Sequence, residues 1–156
     1  MKKICFLLAL LLLFSGCSRE KMDMTPEKAA EVVLSEYGAN TQFTQADKDF
    51  LTTNFGSHDY VREAAVYFSE NGDGSEFGFF RLSDEAYSEE MISTVQAYID
   101  SERQSVESLA ALYPADDLSN RLRRFDNATV GHMGDLVYYF ITEPTVAKNA
   151  VRRFRG

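Results

Sequence analysis

The sequence predicts an α+β fold: a four-stranded antiparallel sheet of two hairpins, packed with a long central helix and shorter N- and C-terminal helices. Three observations carry this. Tyr60–Phe68 with Phe77–Leu82, and Ala128–Met133 with Leu136–Thr142, are two pairs of runs rich in aromatic and β-branched residues, each pair joined by glycine and aspartate. Between the pairs, residues 83–113 carry apolar side chains at helical spacing. The resulting order, α-α-β-β-α-α-β-β-α, keeps partner strands adjacent in sequence, which suits antiparallel pairing.

Each element has a local reason. Thr25-Pro26-Glu27 opens the first helix with a capping hydroxyl, a proline whose missing N–H is harmless in the first turn, and an acid at the positive end of the helix dipole. Ala30, Val33, Leu34 and Tyr37 follow at helical spacing, and Gly38 is placed to close the helix. A second short helix is expected from Thr44, with Phe50 and Leu51 inward and Gly56 after it. In the first hairpin Ala64, Val66 and Phe68 share one apolar face. Ser83-Asp84 caps the long helix, whose stripe is Met91, Val95, Tyr98, Ile99, Val106, Leu109 and Tyr113, and Pro114 breaks it. Leu118, Leu122 and Phe125 mark a further short helix. Gly134-Asp135 suits a two-residue turn in the second hairpin, and Pro144 opens a last helix to Arg155.

The N-terminus sets the expected location. Met1-Lys2-Lys3 is basic, and Ile4–Phe14 is an apolar run of 11 residues, short of the about 20 needed to span a bilayer. Small residues follow, in Phe14-Ser15-Gly16-Cys17. This resembles a bacterial lipoprotein signal: residues 1–16 leave, and Cys17 takes a thioether-linked diacylglycerol of palmitate-type chains. Two acyl chains hold a protein firmly in the membrane where one does not. Cys5 departs with the signal peptide, so the mature domain has no disulfide to form. The predicted organisation is a signal peptide over 1–16, lipidated cysteine and short tether over 17–24, and one α+β domain over 25–156. Ser18–Thr25 reaches about 26–29 Å when extended, which keeps the domain close to the bilayer.

Charge divides the chain. Residues 17–118 hold 7 basic and 21 acidic side chains, whereas 119–156 hold 7 basic and 3 acidic. An acidic body excludes nucleic acid as an expected partner. The basic excess falls into two groups, Arg121, Arg123 and Arg124, then Arg152, Arg153 and Arg155 on an amphipathic last helix. Both are candidate contacts for the membrane or a partner.

Little else carries chemistry. Asn71-Gly72-Asp73-Gly74 is spelled like part of a calcium loop, but alignment with that pattern puts Ser69 first and Phe80 twelfth, where acids are required. A hairpin turn is the better reading, since Asn-Gly and Asp-Gly favour the two-residue turns that need positive φ. His58 and His132 have no second histidine or cysteine nearby, so no metal site is expected. Gly74-Ser75-Glu76-Phe77-Gly78 lacks the glycine two residues before the serine of a nucleophile elbow. No catalytic residue is assigned, and no cofactor beyond the lipid on Cys17. An envelope hydrolase would need His58 or His132 beside a carboxylate in a cleft. Nine aromatic residues in the strands are either covered by helices on both faces or leave one face open to a partner.

Phe14-Ser15-Gly16-Cys17, EAAVYFS at 63–69, FGFFRLSDE at 77–85 with ERQS in the long helix, LYPADDL at 112–118 and NATVGHMGDLVYYFIT at 127–142 together carry a likeness. On them the chain, from about Thr25 to Thr142, resembles a family of uncharacterised small lipoproteins, a domain of unknown function, from Gram-positive anaerobic bacteria. The resemblance implies a surface lipoprotein and brings no catalytic residues. The expected function is a membrane-anchored extracytoplasmic lipoprotein acting as a non-catalytic interaction module, its partner another envelope protein. The alternative is a small-ligand or ion-binding lipoprotein serving a membrane complex.

Overall fold

Phe77 faces Phe140, Phe79 faces Tyr138 and Phe80 faces Val137 across two strands with apolar residues on both faces, so such a sheet has to be covered twice. The computed structural model describes residues 24–38, 41–113 and 115–155. The expected signal peptide, Cys17 with its lipid, the tether as far as residue 23 and the break at Pro114 lie outside the described residues. In chain order the elements are α1 (Pro26–Leu34), β1 (Phe43–Gln45), α2 (Lys48–Phe55), β2 (Val61–Ser69), β3 (Glu76–Leu82), a 3-10 turn (Glu85–Tyr87), α3 (Ser88–Leu112), α4 (Asp116–Asp126), β4 (Thr129–Met133), β5 (Leu136–Ile141) and α5 (Pro144–Phe154). The strands form one antiparallel sheet in the order β1-β2-β3-β5-β4.

Alternation along the strands builds two cores. Phe77, Phe79, Tyr138 and Phe140 point to one face, where α1 supplies Ala29, Ala30 and Val33 and α5 supplies Ala147, Ala150 and Phe154. Val66, Phe80, Leu82, Val137, Tyr139 and Ile141 point to the other, under Phe55 of α2, Met91 to Val106 of α3, and Leu118 and Phe125 of α4. The result is three layers, helix on sheet on helix. Among the described residues both aromatic faces of the sheet are covered: Phe77, Phe79, Tyr139 and Phe140 are fully buried.

The α+β class holds, but the sheet has five strands and not four. Phe43–Gln45, where a helix was expected to begin at Thr44, instead pairs with the outer edge of β2, Phe43 opposite Ser69 and Gln45 opposite Tyr67. The helix starts at Lys48, because Asp47 accepts a hydrogen bond from the Phe50 N–H at 2.8 Å and is the stronger cap. The first helix ends at Leu34, short of Gly38. Asp84 accepts from the Ala86 N–H, but it caps the 3-10 turn that precedes α3 and not α3 itself. The turn at Gly134-Asp135 is the expected two-residue one, with Met133 opposite Leu136 and Gly134 at φ +58°.

The long helix has a consequence for shape. With 25 residues α3 is about 37 Å long at 1.5 Å per residue, against about 24 Å for the seven residues of β3. It starts beside the β4–β5 turn, where the Ser88 hydroxyl donates to the Gly134 carbonyl, and reaches the start of β3 at Tyr98. The remainder outruns the sheet, with α4 packed along it. Leu109 and Tyr113, expected in the buried stripe, are therefore exposed, together with Leu112.

Candidate functional site: a mixed-charge cleft at the first hairpin

The loop between β2 and β3 is built by its own side chains. Ser69 N–H donates to the Ser75 carbonyl at 2.9 Å, closing a six-residue connection, Glu70–Ser75, that is longer than the two-residue turn expected. Gly72 and Gly74 take φ of +69° and +76°, which the loop needs and a side chain would resist. The Asp73 carboxylate accepts from the Ser75 N–H at 2.8 Å and the Ser75 hydroxyl at 3.1 Å. Arg124 then pins the loop from α4 through the Asp73 carbonyl and carboxylate, and pairs with Glu143 ahead of α5 at 3.3 Å. Burial works against the charge on Asp73, but hydrogen bonds from Ser75 and Ser69 and the Arg124 guanidinium outweigh it and hold the carboxyl below its ordinary value. The calcium-like spelling is thus a hairpin loop whose oxygens are committed internally. Among the described residues no group of three or more His, Cys, Asp or Glu side chains is placed to hold a metal ion.

Beside this loop lies a cleft of about 230 Å³, lined by the loop, Phe68, Glu76, Glu102, Arg121 and Phe125. Arg121 lies flat against Gly74: a Cβ there would come within 2.7 Å of the arginine Nε and 2.9 Å of its Cγ. The Arg121 Nε–H is buried with no acceptor. Among the described residues Arg121 takes part in none of the salt bridges, whereas Arg123 and Arg124 both pair with Glu143. It is close enough to act on the charge of Glu76 nonetheless.

Glu76, the first residue of β3, is 8 % exposed. Tyr98 of α3 donates its hydroxyl to the two carboxylate oxygens at 2.9 and 3.0 Å, and Tyr139 of β5 donates to Oε1 as well. Burial pushes the Glu76 carboxyl up to about 7, opposed by the two hydroxyl hydrogen bonds, reinforced by the nearby Glu102 charge and opposed again by Arg121. Burial and the same carboxylate push both tyrosines above their ordinary range. The site therefore holds two carboxylates, one guanidinium with an unused donor, and two phenols fixed by the first carboxylate.

The structure separates the arginines that the sequence groups together. Arg121 and Arg124 turn inward to the hairpin, while Arg123 stays mostly exposed. On α5, Arg153 donates to the Ser35 hydroxyl at 2.6 Å and to Glu36 at 2.8 Å, tying the helix to the end of α1. Arg152 donates to Asn149, and both it and Arg155 are exposed. His58 lies against the Phe55 carbonyl and stacks on Tyr60, at the rim of a second cleft of about 140 Å³ that no carboxylate lines. His132 sits by the Gly134 carbonyl, 3.9 Å from the exposed Glu85.

By sequence reasoning Tyr98 and Glu102 have no site role, while Glu76 is reached only as an incidental weak calcium ligand with Glu70 and Asp73, and Tyr139 only as one of the strand aromatics that could meet a partner. The available sign was an acid opening an otherwise apolar strand at Ser75-Glu76-Phe77, and a tyrosine and glutamate four apart on one helix face, Tyr98 and Glu102. No family model, no curated protein and no solved structure matches the chain.

Proposed function

We propose that the chain is a lipid-anchored, extracytoplasmic protein of the small-lipoprotein family it resembles, and that it works at the cell envelope as a binding module with the Glu76 cleft as its recognition site. The observation that supports this is the convergence there of buried and half-buried charges of both signs, with the Arg121 guanidinium in none of the salt bridges among the described residues, so that a bound group would supply its partner. The Met24 carbonyl, just after the expected tether, accepts from Arg81 at 2.6 Å near one end of β3, whereas Glu76 opens the other end, about 17 Å of strand away. Among the described residues no helix is long and apolar enough to cross a membrane, and in this reading the lipid on Cys17 is the anchor.

A thermal-shift panel of amino acids, sugars, nucleotides and divalent cations on the lipidated chain tests the reading. A ligand at a hundred times its Kd adds about 2.7 kcal/mol, or roughly 10 °C for a domain of this size. At least one class is expected to stabilise the chain but not its Glu102→Gln variant. No stabilising class would sink the reading.

A second reading, docking to another envelope protein, is favoured by the apolar tip of α3, where Leu112 and Tyr113 are 73 % and 67 % exposed. Crosslinking in intact cells with the Leu112→Ser/Tyr113→Ser double variant decides it. One dominant protein captured by the unaltered chain and lost from the variant establishes docking; capture of lipid alone by both rejects it.

A further inference from the structure

We propose that the cleft takes a small zwitterion, its ammonium group set against the Glu76 and Glu102 carboxylates and its carboxylate received by the Arg121 guanidinium, as in a free α-amino acid or the end of a short peptide. This rests on the cleft being the recognition site, and it names what that site selects.

Charge composition excludes the simpler ligands. An anion alone would gain Arg121 but lie against two carboxylates, one of them mostly buried and so weakly screened. A bare metal ion would need a set of oxygen ligands, and among the described residues no such cluster of acids exists. An organic monocation would satisfy the acids and leave the Arg121 guanidinium, which takes part in none of the salt bridges among the described residues, without a counter-charge. Only a ligand carrying both signs answers every group. The size agrees, because about 230 Å³ is below the roughly 300–1,000 Å³ typical of sites for drug-sized ligands.

The two ends of the site are held on different elements, which fixes the ligand's direction. Glu102 and Tyr98 come from α3, Glu76 from β3, and Arg121 from α4. Gly74 sets the arginine, since any side chain at that position would occupy the place of its Nε and Cγ. Phe68 and Phe125 supply apolar wall, suited to the hydrocarbon part of an amino acid. Glu76 responds to the ligand as well. Its surroundings are the Tyr98 and Tyr139 hydroxyls, Glu102 and Arg121, and with a carboxyl poised at about 7 it is part-protonated at neutral pH. An ammonium group beside it favours the ionised form, so binding releases a proton.

Isothermal titration of the full lipidated chain in nanodiscs at pH 7 tests this, using the twenty common amino acids, ethylammonium and propionate as probes. At least one amino acid is expected to bind, with each half-molecule at least tenfold weaker. Arg121→Ala and Glu102→Gln should each cost at least tenfold in affinity. Arg121→Lys, which keeps the charge and most of the stem, should cost less than Arg121→Ala and guards against a folding defect. Heats in phosphate and in Tris should differ because of the released proton. If ethylammonium binds as tightly as any amino acid and ignores Arg121→Ala, the site is a cation site and the zwitterion is overturned while the cleft reading stands. If no amino acid binds but another class stabilises the chain in the thermal panel, the inference again fails alone. If nothing stabilises the chain, both fail together.

Discussion

Replacing Gly78 with alanine is expected to lower the unfolding free energy by about 3 kcal/mol, the upper part of the range for overpacked cores, and valine at the same position to prevent folding. Gly78 lies in β3 with Val66 opposite it on β2 and Tyr139 opposite it on β5. The Tyr139 ring occupies the place of the missing side chain: a Cβ at 78 would stand 2.4 Å from Tyr139 Cε1 and 2.8 Å from Val66 Cγ2. Neither neighbour can yield cheaply. Tyr139 is fully buried, tethered through its hydroxyl to Glu76, and wedged among Phe55, Phe80 and Tyr98. Against a total stability of about 5–15 kcal/mol such a loss is large. Urea denaturation measures it, with Gly38→Ala as the control, since nothing lies within 4 Å of a Cβ there. A Gly78→Ala chain as stable as the control would show that Tyr139 is free to move, and the rigid support of Glu76 would fall with it.

Gly78 also shows what could be read in the sequence and what could not. The first helix start at Thr25-Pro26 and the turn at Gly134-Asp135 were legible because the residues that make them are neighbours in the chain. The strand Phe43–Gln45 was not. It has three residues and one apolar side chain, and it is a strand only because the edge of β2 is there to receive it. Leu109 and Tyr113 continue the apolar periodicity of α3 faithfully, but no sheet remains beneath them, and periodicity contains no information about where a partner layer stops. The cleft was hidden for the same kind of reason. Glu76 meets Tyr98 and Tyr139 across 22 and 63 positions, and nothing local marks such a meeting. One distinction was within reach. Arg121 and Arg124 are three apart and share a helix face, while Arg123 does not, so the basic group could have been divided into an inward pair and an outward residue from spacing alone.

The pH dependence of Glu76→Gln joins stability to the site. In the folded chain the Glu76 carboxyl is held at about 7, above its ordinary 4.5, because burial penalises the charged form. Below the ordinary value both folded and unfolded chains carry the proton, and the folded chain has its full stability. As pH rises toward 7 the unfolded chain gives up its proton first, so stability falls, and above 7 the fall is complete. The interval between 4.5 and about 7 corresponds to roughly 3 kcal/mol, at 1.36 kcal/mol for each tenfold change in the equilibrium. Glutamine has no proton to lose, and its carbonyl still accepts from a tyrosine hydroxyl. The variant should therefore match the unaltered chain near pH 4 and exceed it by roughly 3 kcal/mol at pH 8. Asp73, held below its ordinary value, makes an opposite contribution that is lost at low pH. It is present in both chains and cancels in the difference. Denaturation of the two chains at pH 4, 6 and 8 gives that difference directly. A gap that does not widen with pH would mean that the folded chain does not raise the Glu76 carboxyl above its ordinary value. A widening gap means that the folded chain keeps a destabilising charge above neutral pH, a cost that a bound ammonium group at the same carboxylate would relieve.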